Sequence, residues 1–88
     1  MTEPIVVVYG LPVCPNCNVL KQTLHGLGIR FEEKDMGEPI PRAHLLANRV
    51  FTTVAPVLEI NGTFLTYDDL FQGEEVNDTI IKELTAGE

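Results

Sequence analysis

The sequence predicts an α/β domain of order βαβαββα, a four-stranded mixed sheet flanked by helices, and three observations lead there. First, a β-branched run, "IVVVY" at 5–9, passes through a turn into helical spacing and then into a second extended segment, the strand–helix–strand unit of a parallel pair. Second, an "NG" dipeptide at 61–62 separates two short apolar stretches, which marks a hairpin. Third, Val76, Ile80, Ile81 and Leu84 recur at helical spacing near the end of the chain. An 88-residue chain that is 44% hydrophobic suffices for one core, so residues 1–88 are expected to form a single domain.

Each element has its own signals. "IVVVY" lacks polar alternation and reads as a strand buried on both faces. "GLPV" is turn chemistry, and from Pro15 onward Val19, Leu20, Leu24 and Leu27 form one apolar face while Asn18, Lys21 and Gln22 look outward. Gly26 and Gly28 close this helix after about three turns. Residues 29–36 set Ile29, Phe31 and Glu33 against Arg30, Glu32 and Lys34, a strand with one polar face. Its parallel partner would be reached by a right-handed crossover. After "GEPIP", a short helix over 41–50 carries Ala43, Leu45, Leu46 and Ala47 inward, with Pro41 in its first turn. Residues 56–67 then read as an antiparallel hairpin. Asp68 and Asp69 open a last helix, Thr66 and Asp69 stand at capping-box spacing, Gly73 weakens its first turns, and 85–88 should fray.

Charge excludes some functions. A formal charge of −7 with six Lys and Arg in all leaves no basic stripe for a phosphate backbone, so nucleic acid is not an expected partner. The apolar run at the N-terminus is far too short for a membrane span and has no basic segment before it, so neither membrane nor export is expected. The expected setting is the cytoplasm, as a soluble monomer.

Both cysteines lie in "CPNC", Cys14 and Cys17, at the turn between the first strand and the first helix. A structural staple is a poor reading, because disulfide stabilisation grows with the loop closed and this loop is nearly the shortest there is. A zinc clip needs two more ligands. His25 lies at the far end of the same helix, roughly 15 Å from Cys14 at about 1.5 Å per residue. Neither His25 nor His44 is at finger spacing, so no metal site is expected. Redox chemistry remains. With Cys14 at the helix N-cap and Pro15 just inside, the unpaired N–H groups and the positive end of the helix favour thiolate over thiol. Cys14 becomes the nucleophile. Cys17, one turn deeper, is placed to attack the mixed disulfide that Cys14 forms, and Lys21, four residues on, adds a cation nearby. No bound cofactor is expected beyond a redox-active Cys14–Cys17 disulfide.

At this point the sequence resembles the glutaredoxins and related small redoxins of the thioredoxin fold, over nearly its whole length. "VVVYGLPVCPNC" is similar to the family's first strand and CPxC motif, and "CPNCNVLKQTL" carries the family's lysine as Lys21. "TVAPVLEINGTFLTYDDL" is similar to its Thr-Val-Pro, buried strand, hairpin turn and Asp-Asp-Leu. The resemblance implies a thioredoxin-like fold of glutaredoxin type, with Pro56 cis and facing the cysteines. It also implies that Ala55, flanked by Val54, offers its backbone N–H and C=O to an extended substrate. Asp68 and Asp69 become candidate partners for a substrate amine, alongside their plain role as helix caps.

Three departures bear on the substrate. Ala55 interrupts Thr-Val-Pro, Thr66 and Tyr67 replace the Gly-Gly that admits the γ-glutamyl end of glutathione, and Leu11, Pro12 and Val13 stand where a lysine precedes CPxC. Pro12, Val54, Ala55, Asp68 and Asp69 are therefore the candidate substrate contacts, with Pro15, Lys21 and Pro56 supporting the two cysteines. The expected activity is dithiol reduction of protein disulfides, with a ribonucleotide reductase-like enzyme as one candidate target. Electrons would come from glutathione, as co-substrate, or from a flavoprotein reductase. A second reading is a dimer holding an iron–sulfur cluster through Cys14 and added thiols, which Pro15 opposes by stiffening the turn. A third is a redox-inactive interaction domain, which an intact CPxC makes a poor fit.

Overall fold

The structure, a computed structural model, describes residues 4–86. Four strands form one sheet: β1 (Val6–Gly10), β2 (Glu32–Asp35), β3 (Val57–Ile60) and β4 (Thr63–Leu65) lie in the order β2-β1-β3-β4. β1 runs parallel to β2 with Val7 opposite Glu32, and antiparallel to β3 with Val8 opposite Leu58. β3 and β4 form the expected hairpin, its turn made by Asn61 and Gly62, both at positive φ, as the "NG" signal requires. The mixed sheet of the sequence reading is the sheet that forms.

Burial follows strand position. β1 and β3 are the interior strands, and Val6, Val7, Val8, Tyr9, Val57, Leu58 and Ile60 are all buried, which is why β1 shows no polar alternation. β2 is an edge. It is shorter than expected, and Glu32, Glu33 and Lys34 are all exposed, so the charges on both its faces guard that edge, while Ile29 and Phe31 pack on the core from the loop before it.

The core has two parts, one on each face of the sheet. One face packs Val6, Val8, Leu58 and Ile60 against Leu20 and Leu24 of α1 (Pro15–Gly26) and Ile81. Val19, expected inward, is instead exposed, because Cys17, Leu20 and Leu24 take the buried positions. The other face packs Val7, Tyr9 and Val57 against Leu45 of α2 (Pro39–Ala47), together with Cys17, Met36, Val50 and Ala55. α2 starts two residues before the expected Pro41. It buries only Leu45, leaving Ala43, Leu46 and Ala47 exposed, since one short helix lies on this face with a single row inward.

The end of the chain differs most from expectation. α3 (Tyr67–Leu70) is a single turn, followed by a hairpin of β5 (Phe71–Gln72) and β6 (Glu75–Val76), and only then by α4 (Asp78–Ala86). Gly73 turns the hairpin at φ +65°, a conformation that ends a helix, so the expected continuous helix from Asp68 is split. Val76, assigned to that helix, sits in β6, while Ile80, Ile81 and Leu84 do point inward from α4. Of the tail expected to fray, Thr85 and Ala86 are helical and residues 87–88 lie outside the described residues.

Candidate active site

The site forms where β1 ends. Gly10 closes the strand, residues 11–13 turn, and Cys14 takes extended backbone (φ −151°, ψ 95°) as the N-cap of α1, with Pro15 in the first turn. Its sulfur accepts the Cys17 N–H at 3.0 Å, and its carbonyl accepts the Asn18 N–H at 3.2 Å. Cys14 therefore satisfies a helix-end donor with sulfur, where Ser or Asp would ordinarily use oxygen. Cys14 and Cys17 are joined as a disulfide with Cα atoms 5.2 Å apart. The two sulfurs are unequal: Cys14 is half-buried, whereas Cys17 is 3% exposed.

Gly10 makes room for that buried sulfur. A Cβ there would stand 3.0 Å from Cys17 Sγ and 3.5 Å from its Cβ, so any larger residue would push the Cys17 side chain aside. The sequence reading passed over Gly10, since a glycine at a strand end looks like ordinary turn chemistry. It also passed over Glu33. Lys21 Nζ bonds Glu33 Oε1 at 2.9 Å, and both line an open cavity of about 210 Å³ whose wall includes Cys17, Gly10, Leu11 and Pro12. Lys21 thus lies beside the second cysteine, tethered to β2, and Pro12 belongs to the same wall.

On the other side of the disulfide, the Ala55–Pro56 peptide bond is cis. Ala55 shares the apolar cluster of Cys17, Tyr9 and Val57, with Cys14 packed against it. β3 begins only at Val57, so the Ala55 N–H and C=O lie outside the β1–β3 ladder. Val54 is 50% exposed, its N–H bonded to Thr52 Oγ1 at 3.0 Å. Extending the Leu58–Leu65 register brings Thr66 and Tyr67 alongside Val57 and Pro56, so the start of α3 borders this side. Asp69 acts as a cap: its Oδ2 accepts the Thr66 N–H at 3.1 Å and the Thr66 hydroxyl at 3.3 Å. Asp68 is exposed. The Tyr67 ring stacks on Phe71 at 4.9 Å between centroids.

The structure thus gathers Cys14, Cys17, Pro15, Lys21 and Pro12 on one flank, and Val54, Ala55 and Pro56 on the other. The α2 face holds a further polar group outside this site. Tyr9 donates to Glu59 Oε1 at 2.7 Å, and His44 Nε2 lies 3.5 Å from the same oxygen. Among the described residues no cluster of three His, Cys, Asp or Glu could hold a metal ion, and no helix is long and apolar enough to cross a membrane.

An apolar-rimmed disulfide at a helix N-terminus, on a β2-β1-β3-β4 sheet beside a cis-proline, can be compared with known proteins. The Glutaredoxin family profile matches residues 6–65. A crystal structure of a mutant of the thioredoxin-like protein BC3987 aligns with 100% of both chains at a TM-score of 0.66 and 20% identity, a likeness of fold. No curated protein matches the sequence. The family and the bonded Cys14–Cys17 pair fit a thiol–disulfide oxidoreductase. Since the family match runs from β1 through β4 and takes in both cysteines, the chain belongs to the glutaredoxin family.

Proposed function

We propose that the protein is a dithiol oxidoreductase that reduces disulfides in other proteins, with Cys14 attacking and Cys17 resolving. The observation that carries this reading is the unequal placement of the two sulfurs, Cys14 capping the helix with a bond from the Cys17 N–H and Cys17 buried one turn below. The Cys17 N–H already aimed at the Cys14 sulfur, at the positive end of α1, favours its anion, and the thiolate is the attacking form.

In the first step Cys14 S⁻ attacks one sulfur of a substrate disulfide, forming Cys14–S–S–R, and the other sulfur leaves as a thiolate and takes a proton from solvent. The Cys17 thiol then loses its proton and attacks the Cys14 sulfur. The second substrate thiolate departs, and the Cys14–Cys17 disulfide is left behind. Two electrons and two protons have passed to the substrate. Two electrons from glutathione or from a flavoprotein reductase return the protein to the dithiol. In this reading it works in the cytoplasm as a monomer, without a bound cofactor, on a ribonucleotide reductase-like enzyme or another disulfide protein.

Protein disulfides are favoured over glutathione mixed disulfides because Leu11, Pro12 and Val13 offer no cation for a glutathione carboxylate, and Tyr67 stands where the family has glycine. Against the cluster-binding reading stands Pro15 in the first turn of α1, which stiffens the turn a bridging cluster would need.

The test is a pair of serine variants. Cys14→Ser should abolish disulfide reduction, and Cys17→Ser should react once and accumulate a mixed disulfide at Cys14, seen by mass spectrometry. Full activity in Cys14→Ser, or an ordinary pH dependence of Cys14 alkylation in the reduced protein, would falsify the proposal.

A further inference from the structure

Two stretches of the chain meet at the disulfide: residues 9–20, which carry Cys14 and Cys17, and residues 50–58, which carry Ala55 and Pro56. Neither contains a charged residue, in a chain that is 22% charged. Both also expose large apolar side chains. Val13, adjacent to Cys14, is 90% exposed; Phe51, which follows the buried Val50, is 71% exposed; Val54 and Leu11 are 50% and 41% exposed. Apolar groups left in water at this density beside a reactive centre mark a contact surface. None of the four is buried in the core, whose positions in these stretches include Tyr9, Cys17, Leu20, Val50, Val57 and Leu58.

We propose that this rim of exposed apolar side chains is a specificity site for an extended segment of a substrate protein in which the disulfide cysteine is flanked by apolar residues. The inference rests on the oxidoreductase reading above and adds the chemistry of its substrate. Alternate side chains of an extended segment project to opposite sides, so the two neighbours of the substrate cysteine straddle its sulfur. With that sulfur on Cys14, and the segment passing the free Ala55 N–H and C=O as an added strand, those neighbours fall within reach of Val13 on one flank and Phe51 and Val54 on the other. A tripeptide such as glutathione, with two carboxylates and an ammonium, finds no ion partner within either stretch, and in the charged wall beside Cys17, formed by Lys21, Glu33, Lys34 and Asp35, the first two are already bonded to each other. An apolar segment buries its own side chains together with the rim.

The experiment follows anaerobic oxidation of the reduced protein in single turnover, quenched with acid and read by mass spectrometry, so no electron donor is needed. The oxidants are symmetric disulfides of two blocked, uncharged peptides, one with valine and one with serine on each side of the cysteine, together with bis(2-hydroxyethyl) disulfide. The valine peptide should react about tenfold faster than the serine peptide, the scale at which apolar pockets discriminate. In a Val13→Ser/Phe51→Ser double variant that ratio should fall to about one or two, and Val13→Ile should retain it. Because the ratio is internal to each variant, partial loss of folded protein does not alter it. Equal rates for the two peptides in the unmodified protein, or an undiminished ratio in the double variant, overturns the rim proposal while leaving the redox reading in place. Failure of all three disulfides to oxidise the protein overturns both.

Discussion

At the residue scale, two neighbours at the end of β1 make predictions that differ in kind. Gly10 is required for space. Gly10→Ala sets a methyl 3.0 Å from Cys17 Sγ and 3.5 Å from its Cβ, against a side chain held in a packed cluster. It should destabilise the protein by about 1–3 kcal/mol, the usual cost of overpacking, and slow the resolving step. Urea unfolding checks the first effect and accumulation of Cys14 mixed disulfide the second. Tyr9 is required for a bond. Burial, then the hydrogen bond and charge of Glu59, raise its phenol well above the ordinary 10.0. The folded chain therefore keeps the phenol neutral where the unfolded chain ionises it. Its contribution to stability is whole below the unfolded value and is lost as pH climbs from there toward the folded one. Tyr9→Phe should cost about 1 kcal/mol at neutral pH, by stranding part of the Glu59 carboxylate. It should also flatten the fall in urea midpoint between about pH 9 and about pH 11.

At the scale of elements, helix ends divide the labour of the site. The start of α1 is held by Cys14, so the cap and the proposed nucleophile are one atom. The start of α3 is held by Asp69 through Thr66, which binds one of the two candidate amine partners into structure. Asp69→Ala should lower stability by about 0.5–2 kcal/mol, the range for a lost cap, and melt the turn that borders Pro56. Thermal unfolding checks it. Asp68 has no such duty and is exposed on α3. The split between α3 and α4 also has a physical cause in one residue. A left-handed Gly73 costs nothing in a hairpin turn, whereas any residue with a Cβ would be strained there. Gly73→Ala should therefore destabilise the β5–β6 hairpin, by about 1 kcal/mol.

At the scale of the whole molecule, the apolar rim sits on an acidic protein, with 13 Asp and Glu against 6 Lys and Arg. The rim supplies short-range selectivity, and the net charge of −7 acts over a Debye length of about 8–10 Å. A basic disulfide protein should then be reduced faster at low ionic strength. Its second-order rate constant should fall several-fold between about 20 mM and about 200 mM salt, with that of bis(2-hydroxyethyl) disulfide unchanged. Stopped-flow measurement of both in the same buffers checks the difference.

The sequence by itself determined the sheet and the reagent. "IVVVY", the "NG" turn and the CPNC motif at a strand-to-helix junction each act through neighbours in the chain, where propensity, turn geometry and helix capping are local. With only two residues between them at a helix start, the cysteines could scarcely lie anywhere but together. Tertiary structure decided what depends on distant partners. Val19 lost its inward place to Cys17, α2 kept only Leu45 inside, and the last helix broke at Gly73, because burial and φ at those positions are settled by which elements pack there. The same holds for Gly10 under Cys17, for Glu33 on Lys21 and for the meeting of two uncharged stretches at one disulfide. Each joins residues far apart in the chain, and such distances close only once the sheet has formed.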